Sequence, residues 1–248
     1  MTENRAYITV CTSLDYLPGV KALYRSLKRY DPKYGFIVIT WPKFKEDVEK
    51  AVPDAIVLGQ VPVATFTEAQ KSVNDLFDCS HWTNTLLKLS IFGLNQYNKL
   101  VYLDSDMLIR GNLDHLFNEP DLTFVQAGKL CGHQLGNPYN TGLMVICPRL
   151  YNFARVTFKA KMMDMSIAPV SDNEVICETF TNWDALSEDY NCLFYDLTEY
   201  LEKTNKELDD IKVVHFAGQI KPWHKDYSYQ PKSKSEELIL NEYKSFLE

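Results

Sequence analysis

Leu100 to Leu103 form an unbroken apolar run that stops at the acid pair Asp104 and Asp106, within KLVYLDSDMLIRGNLDHLF at residues 99–117. A strand without polar alternation is buried on both faces, which requires a sheet covered by helices on each side. The flanking pattern agrees. Residues 6–12 (AYITVCT) are apolar and β-branched and read as a first strand. Val20, Leu23, Tyr24 and Leu27 follow at i, i+3, i+4 and i+7, one face of a helix whose first turn suits Pro18. Residues 35–40 (GFIVIT) read as a second strand, limited by Pro42, and 55–58 (AIVL) as a third. A helix is predicted over 82–97, with Leu87, Ile91 and Leu94 on one face. Further strands are predicted at 122–127, 142–147 and 211–217, and a helix from Leu150. The tail from Ser233 carries a capping-box pattern with Glu236, then an apolar face of Ile239, Tyr243 and Phe246. Alternating strands and helices predict one α/β domain with a mostly parallel central sheet, flanking helices and a less regular C-terminal half.

The acids carry the chemistry. Ligands of open α/β sheets bind beyond the carboxyl ends of the strands. Residues two apart on a strand point to one side, and two carboxylates there repel and are costly to desolvate. A divalent cation removes that conflict, and oxygen donors suit Mg²⁺ or Mn²⁺. The alternative is a solvated acidic turn; the apolar run immediately before the pair favours a metal. A cation on two carboxylates can neutralise a diphosphate, so the expected substrate is a nucleotide or nucleotide-sugar.

Composition removes several other classes. The chain of 248 residues has 26 basic and 33 acidic side chains, net charge −7, which disfavours phosphate-backbone binding and predicts no nucleic-acid partner. It has no apolar run of membrane-spanning length and its start lacks the pattern of a signal peptide. The cysteines at 11, 79, 131, 147, 177 and 192 are scattered without a CxxC, which predicts reduced thiols and a cytoplasmic protein. No GxGxxG follows the first strand, against a Rossmann dehydrogenase. LDSDM resembles the opening of haloacid-dehalogenase phosphohydrolases, but Leu108 stands where a threonine or valine is expected.

YLDSDMLIRGNLDHLF resembles the DxD segment of family 8 glycosyltransferases, the glycogenin-like retaining enzymes of the GT-A fold. TVCTSLDYLPGVKALYRSL, TNTLLKLSIF, YNTGLMVICP, SDNEVIC and VVHFAGQIKPW resemble further segments of that family in the same order. The DxD alone is weak; together with the KPW signature it is specific, and the likeness runs from about residue 6 to 224. It implies a nucleotide-binding half to about residue 127, an acceptor-side half over about 128–230, and a C-terminal helix over 231–248.

The resemblance also implies roles. Asp104, Asp106 and His215 would hold Mn²⁺, with Mg²⁺ an alternative, and Lys221 would meet the diphosphate as a point charge. Ser105, Ala217 and Gly218 would complete that end of the donor site. Val10, Thr12 and Ser13 match the uridine-binding edge, with Tyr16 stacked on uracil; the family commonly has asparagine at Ser13. Lys88 would contact donor sugar or phosphate, although a helical lysine is usually solvated. The arginine that the family carries shortly before it is missing, and His81 or Trp82 is the nearest substitute. Asn140, Thr141 and Gly142 would line the sugar and acceptor side. Asp172 and Asn173 stand where the family has Asp-Gln, with Asp172 at the sugar or serving as a helix N-cap.

The implied function is a retaining hexosyltransferase that moves glucose, by preference, from a UDP-sugar to a hydroxyl on a glycan, small molecule or protein. A catalytically weak nucleotide-sugar-binding protein of the same fold and a self-glucosylating, glycogenin-type enzyme are the alternatives. For the second, Thr198 occupies the tyrosine's slot, flanked by Tyr195 and Tyr200. The resemblance allows a homodimer.

Overall fold

The computed structural model describes residues 4–128, 137–163 and 168–248. The chain runs β1 (Arg5–Cys11), α1 (Leu17–Lys28), β2 (Gly35–Thr40), α2 (Lys45–Ala51), β3 (Ile56–Gly59) and α3 (Glu68–Leu76). After a 3-10 helix over Ser80–Gly93 come β4 (Lys99–Leu103), β5 (Met107–Ile109), β6 (Thr123–Gln126), β7 (Tyr139–Ile146), α4 (Leu150–Met163) and α5 (Asp172–Thr179). The remainder is β8 (Asp184–Leu186), β9 (Cys192–Leu193), α6 (Leu197–Thr204), β10 (Val213–His215) and α7 (Lys234–Ser245).

Seven strands form the central sheet in the order β3-β2-β1-β4-β7-β6-β8. All run parallel except β7, which is antiparallel to both β4 and β6. Alternation along β1 serves two cores. Ala6, Ile8 and Val10 pack with the 3-10 helix, α4 and α5, whereas Tyr7 and Cys11 pack with α1 and α2. Leu100 to Leu103 are all buried, so β4 is the doubly covered strand expected from its apolar run. Val20, Leu23, Tyr24 and Leu27 are the buried face of α1.

A second sheet, β5-β10-β9, was not anticipated. The late strand belongs to it, is shorter than 211–217, and pairs antiparallel with β5 so that His215 lies opposite Met107. This pairing brings the residue after Asp106 beside His215. The predicted helix over 82–97 is a 3-10 helix that begins and ends earlier. Leu86 to Phe92 are buried without a break, Lys88 and Ser90 included, so this segment is covered on all sides rather than on one face. At the tail, Ser233 accepts from the Glu236 backbone N–H, but the Glu236 carboxylate accepts from the Lys232 N–H instead of returning the bond to Ser233.

Five cysteines, 11, 79, 147, 177 and 192, are free thiols, and Cys131 lies outside the described residues. Among the described residues no helix is long and apolar enough to cross a membrane.

Candidate functional site

The carboxyl ends of β1 and β4 open into a cleft of about 450 Å³. Each expected site residue lines it except Ser13, which precedes a 3-10 turn and receives the Tyr16 N–H on its carbonyl, and Gly142, which lies against Met107 and His215. Three devices bring the lining together. First, β4 ends at Leu103, so Asp104 to Asp106 form a turn between β4 and β5 rather than a continuation of the strand. Their convergence therefore comes from the turn, not from strand alternation. Asp104 N–H donates to Gly142 at 2.8 Å, and Phe216 N–H donates to the Asp106 carbonyl at 3.0 Å.

Second, the register of β6 on β7 jumps between Phe124 and Val125, whose partners are Met144 and Asn140. Residues 141–143 bulge from that ladder, which turns Thr141 and Gly142 toward the acids. A Cβ on Gly142 would lie 2.9 Å from His215 Nδ1 and 2.8 Å from Met107 Cε, so only glycine fits this approach. Third, Trp223 Nε1 donates to the Asp15 carbonyl at 2.8 Å, and His224 Nε2 lies 3.0 Å from the Asp15 carboxylate. These contacts anchor the KPW segment over the start of α1.

His215 Nε2 lies 3.1 Å from Asp106 Oδ1 and 3.9 Å from Asp104 Oδ2. One ligand atom from each of these residues falls within 4.8 Å of the others, a metal-capable group built from two carboxylates and an imidazole. The imidazole is aimed by a relay. Gly142 N–H donates to Asn140 Oδ1 at 2.7 Å, which also accepts from Asn191 Nδ2 at 2.8 Å. Asn191 Oδ1 is thereby left as the acceptor for His215 Nδ1 at 2.8 Å. In neutral His215 the proton then sits on Nδ1 and the Nε2 lone pair faces the carboxylates, the state a metal requires.

Two lysines complete the electrostatics. Lys88 Nζ, buried, lies 2.8 Å from Asp172 Oδ2 and 3.2 Å from Asp104 Oδ1, and donates to Thr141 Oγ1 at 3.1 Å. Lys221, also buried, pairs with Asp106 and donates to the Phe216 carbonyl at 3.0 Å. Three carboxylates thus face two ammonium groups. The negative excess suits a divalent cation. Burial pushes the Asp104 carboxyl up, more than Lys88 and His215 pull it down. Burial acts likewise on Asp106, but Lys221 and His215 outweigh it and hold that carboxyl far below the usual range. Lys88 is raised, its desolvation outweighed by Asp104 and Asp172.

The N-cap of α5 is Ser171, not Asp172. Ser171 and Glu174 form a full capping box, and Asp172 is the first helical residue. Asn173 Oδ1 accepts from the Thr141 N–H at 2.9 Å. Tyr16 packs edge-on against Trp223, ring centroids 5.9 Å apart, and Lys221 Nζ lies 5.7 Å from the Tyr16 ring. His81 and Trp82 do line the cleft, and His81 Nδ1 is buried with no hydrogen-bond partner among the described residues.

The sequence reading passed over Tyr102, Thr85 and Asn191. Tyr102 donates to Asp104 Oδ1 at 2.5 Å. Thr85 Oγ1 accepts from the Asp172 N–H at 3.2 Å. Nothing in the local sequence marks Asn191 as the partner of His215.

The family model described as Glycosyl transferase family 8 matches residues 7–227. Glycogenin-1 of Oryctolagus cuniculus is 27% identical over 241 residues, covering 94% of this chain and 68% of that protein. Galactinol synthase 2 of Arabidopsis thaliana is 26% identical over 255 residues, covering 89% and 74%. Among solved structures, an active-site mutant of LgtC superposes with a TM-score of 0.69 at 15% identity, over 97% of this chain and 95% of that one. The apo form of the glycosyltransferase GlyE of Streptococcus pneumoniae TIGR4 gives 0.68 at 15%, over 99% and 62%. At that identity the structural likenesses speak for a shared GT-A architecture.

Proposed function

The chain belongs to glycosyl transferase family 8, and we propose that it moves a hexose, glucose by preference, from a UDP-sugar to an acceptor hydroxyl with retention, using Mn²⁺ held by Asp104, Asp106 and His215. The observation that carries this reading is the convergence of those three side chains within 4.8 Å in a cleft that also holds Lys88 and Lys221. The donor set suits Mn²⁺ or Mg²⁺. The ion's contribution is to neutralise the diphosphate as negative charge develops on it.

The protein's own groups do the remainder. Val10, Thr12 and Tyr16 form the edge for the uridine, with Ser105, Ala217 and Gly218 beside the diphosphate. Lys221 supplies a fixed positive charge where the leaving group gains negative charge. Lys88 holds Asp104 and Asp172 in one network, so metal side and sugar side are rigidly related. Asp172 faces the sugar and the cationic character that develops at its anomeric carbon. Asn140, Thr141 and Asn173 orient the acceptor. His81 and Trp82 take the place of the missing arginine at the cleft wall.

Retention follows from attack on the face that the leaving group vacates. The anomeric carbon–phosphate oxygen bond breaks, the carbon–acceptor oxygen bond forms, and the acceptor proton passes to the departing phosphate oxygen. A double displacement would need Asp172 as nucleophile. Its Oδ2 is engaged by Lys88 at 2.8 Å and by Thr141 at 3.3 Å, which supports the front-face route. Self-glucosylation at Thr198 is disfavoured, because its hydroxyl donates to Glu236 at 2.6 Å.

Mn²⁺-dependent UDP release from a panel of UDP-sugars tests the proposal, with Asp104→Asn and Asp106→Asn as variants. Release near the wild-type rate in both variants, or without metal, defeats it. UDP binding with no release from any sugar favours the binding-protein alternative.

A further inference from the structure

We propose that His224 is a positioning residue, which fixes the Lys221 ammonium for the diphosphate without itself touching the donor; this rests on the transferase reading above. Lys221 lines the cleft, whereas His224 and Asp15 do not. Residues 221–224 form a turn with Pro222 at its second position, and His224 N–H donates to the Lys221 carbonyl at 2.9 Å. The imidazole closes the same turn a second time, because its Nδ1 accepts the Lys221 N–H at 3.1 Å. With Nδ1 as acceptor, the proton of the neutral ring sits on Nε2, which donates to Asp15 Oδ2 at 3.0 Å. Both ring nitrogens are committed, one to the backbone that carries the lysine and one to the residue before Tyr16.

The lysine needs such a hold. Its ammonium is a point charge on a flexible four-carbon stem, so it is placed only as well as the peptide beneath it. The ammonium now pairs with Asp106 and donates to the Phe216 carbonyl. An ammonium that turns to a diphosphate gives up these contacts, whereas the His224 bond is made by the backbone and persists through the exchange. Trp223 has a different part. Its Nε1 donates to the Asp15 carbonyl at 2.8 Å, and a Cβ on Gly19 would stand 2.6 Å from its ring and 2.7 Å from the Ser105 carbonyl. The start of α1, the turn after β4 and the 221–224 turn therefore meet at Gly19. The indole sets where the turn sits, and the imidazole sets how the Lys221 peptide is oriented upon it.

Two conservative variants separate the two ring nitrogens. His224→Asn puts an amide oxygen near the place of Nδ1 and falls short of Asp15, whereas His224→Gln reaches Asp15 and offers no acceptor at Nδ1. UDP is titrated by calorimetry into the full chain with Mn²⁺. H224A and H224Q are expected to bind about three- to tenfold more weakly than wild type, and H224N like wild type. In a Lys221→Met background H224A should cause no further loss, since no ammonium is left to position; a merely structural role lowers affinity by the same factor in both backgrounds. A second measurement needs no nucleotide. In free protein labelled at lysine nitrogen, NMR should show the Lys221 N–H exchanging faster with solvent in H224A and H224Q than in wild type and H224N. The proposal is overturned when H224A binds UDP like wild type, when its loss is as large in K221M, when H224N is as weak as H224A, or when Lys221 exchange is unchanged in H224A. Should K221M fail to fold, the contrast between H224N and H224Q and the exchange rates carry the test. Absence of UDP binding to wild type defeats the donor assignment, while the exchange rates still decide whether His224 holds Lys221.

Discussion

His215 Nδ1 and Asn191 Oδ1 lie 2.8 Å apart, and this bond sets which imidazole nitrogen faces Asp104 and Asp106. Without it the ring is free to rotate or to change tautomer. Asn191→Ala is therefore expected to weaken Mn²⁺ affinity about 10–100-fold, while UDP affinity in metal-free buffer changes little. Electron paramagnetic resonance titration of free Mn²⁺ measures the first quantity and calorimetry the second. Unchanged Mn²⁺ affinity would show that Asn191 does not position the histidine.

Lys221 and Asp106 form a buried pair, with side chains 4% and 8% exposed. Removing one partner of such a pair leaves a charge in a poorly solvating site, at a cost of about 3–5 kcal/mol. Lys221→Met should lower the thermal midpoint of the metal-free protein accordingly. Added Mn²⁺ should recover part of the loss, since the ion replaces the missing positive charge and binds only the folded state. A midpoint equal to wild type without metal contradicts the argument.

Gly142 has no room for a side chain. In Gly142→Ala the new Cβ meets Met107, Asn140 and His215, all within 3 Å. Overpacking of this kind costs about 1–3 kcal/mol. Here it also displaces the imidazole and its relay, so transfer activity should fall more steeply than stability. Parallel measurements of UDP release and urea midpoint check this; an active variant with a normal Mn²⁺ requirement would overturn it.

Burial pushes the thiols of Cys11 and Cys177 up to about 12. A raised pKa favours the protonated form, so at pH 8 only about one thiol in 10⁴ at either position is a thiolate. Native protein treated with iodoacetamide at pH 8 should be modified at Cys79 and Cys147, which are partly exposed, and spared at Cys11 and Cys177. Unfolding in urea should abolish the difference. Peptide mass mapping reads the outcome, and fast native labelling of Cys11 would refute the burial.

Much was legible along the chain because it depends on local pattern. The unbroken run at Leu100–Leu103 predicted a doubly covered strand, and the spacing of Val20, Leu23, Tyr24 and Leu27 predicted a buried helical face. The 3-10 segment misled because Leu86–Phe92 is buried on every side, Lys88 and Ser90 included, and burial without periodicity does not distinguish one helix type from another. The N-cap shifted by one residue because Ser171 and Asp172 are both competent caps, and Glu174 completes the box with Ser171.

What the sequence determined by itself is the inventory: which strands are covered twice, which residue types stand at their carboxyl ends, and the family to which the order of motifs belongs. What tertiary structure alone decided is how those residues meet. The turn after Leu103, the β6–β7 register shift and the pairing of β5 with β10 bring Asp104, Asp106 and His215 together, and the Gly142–Asn140–Asn191 relay orients the histidine. The physical reason is range. Burial and helix periodicity act between near neighbours, whereas a hydrogen bond joining positions far apart in the chain leaves no local mark and exists only once packing has closed the distance.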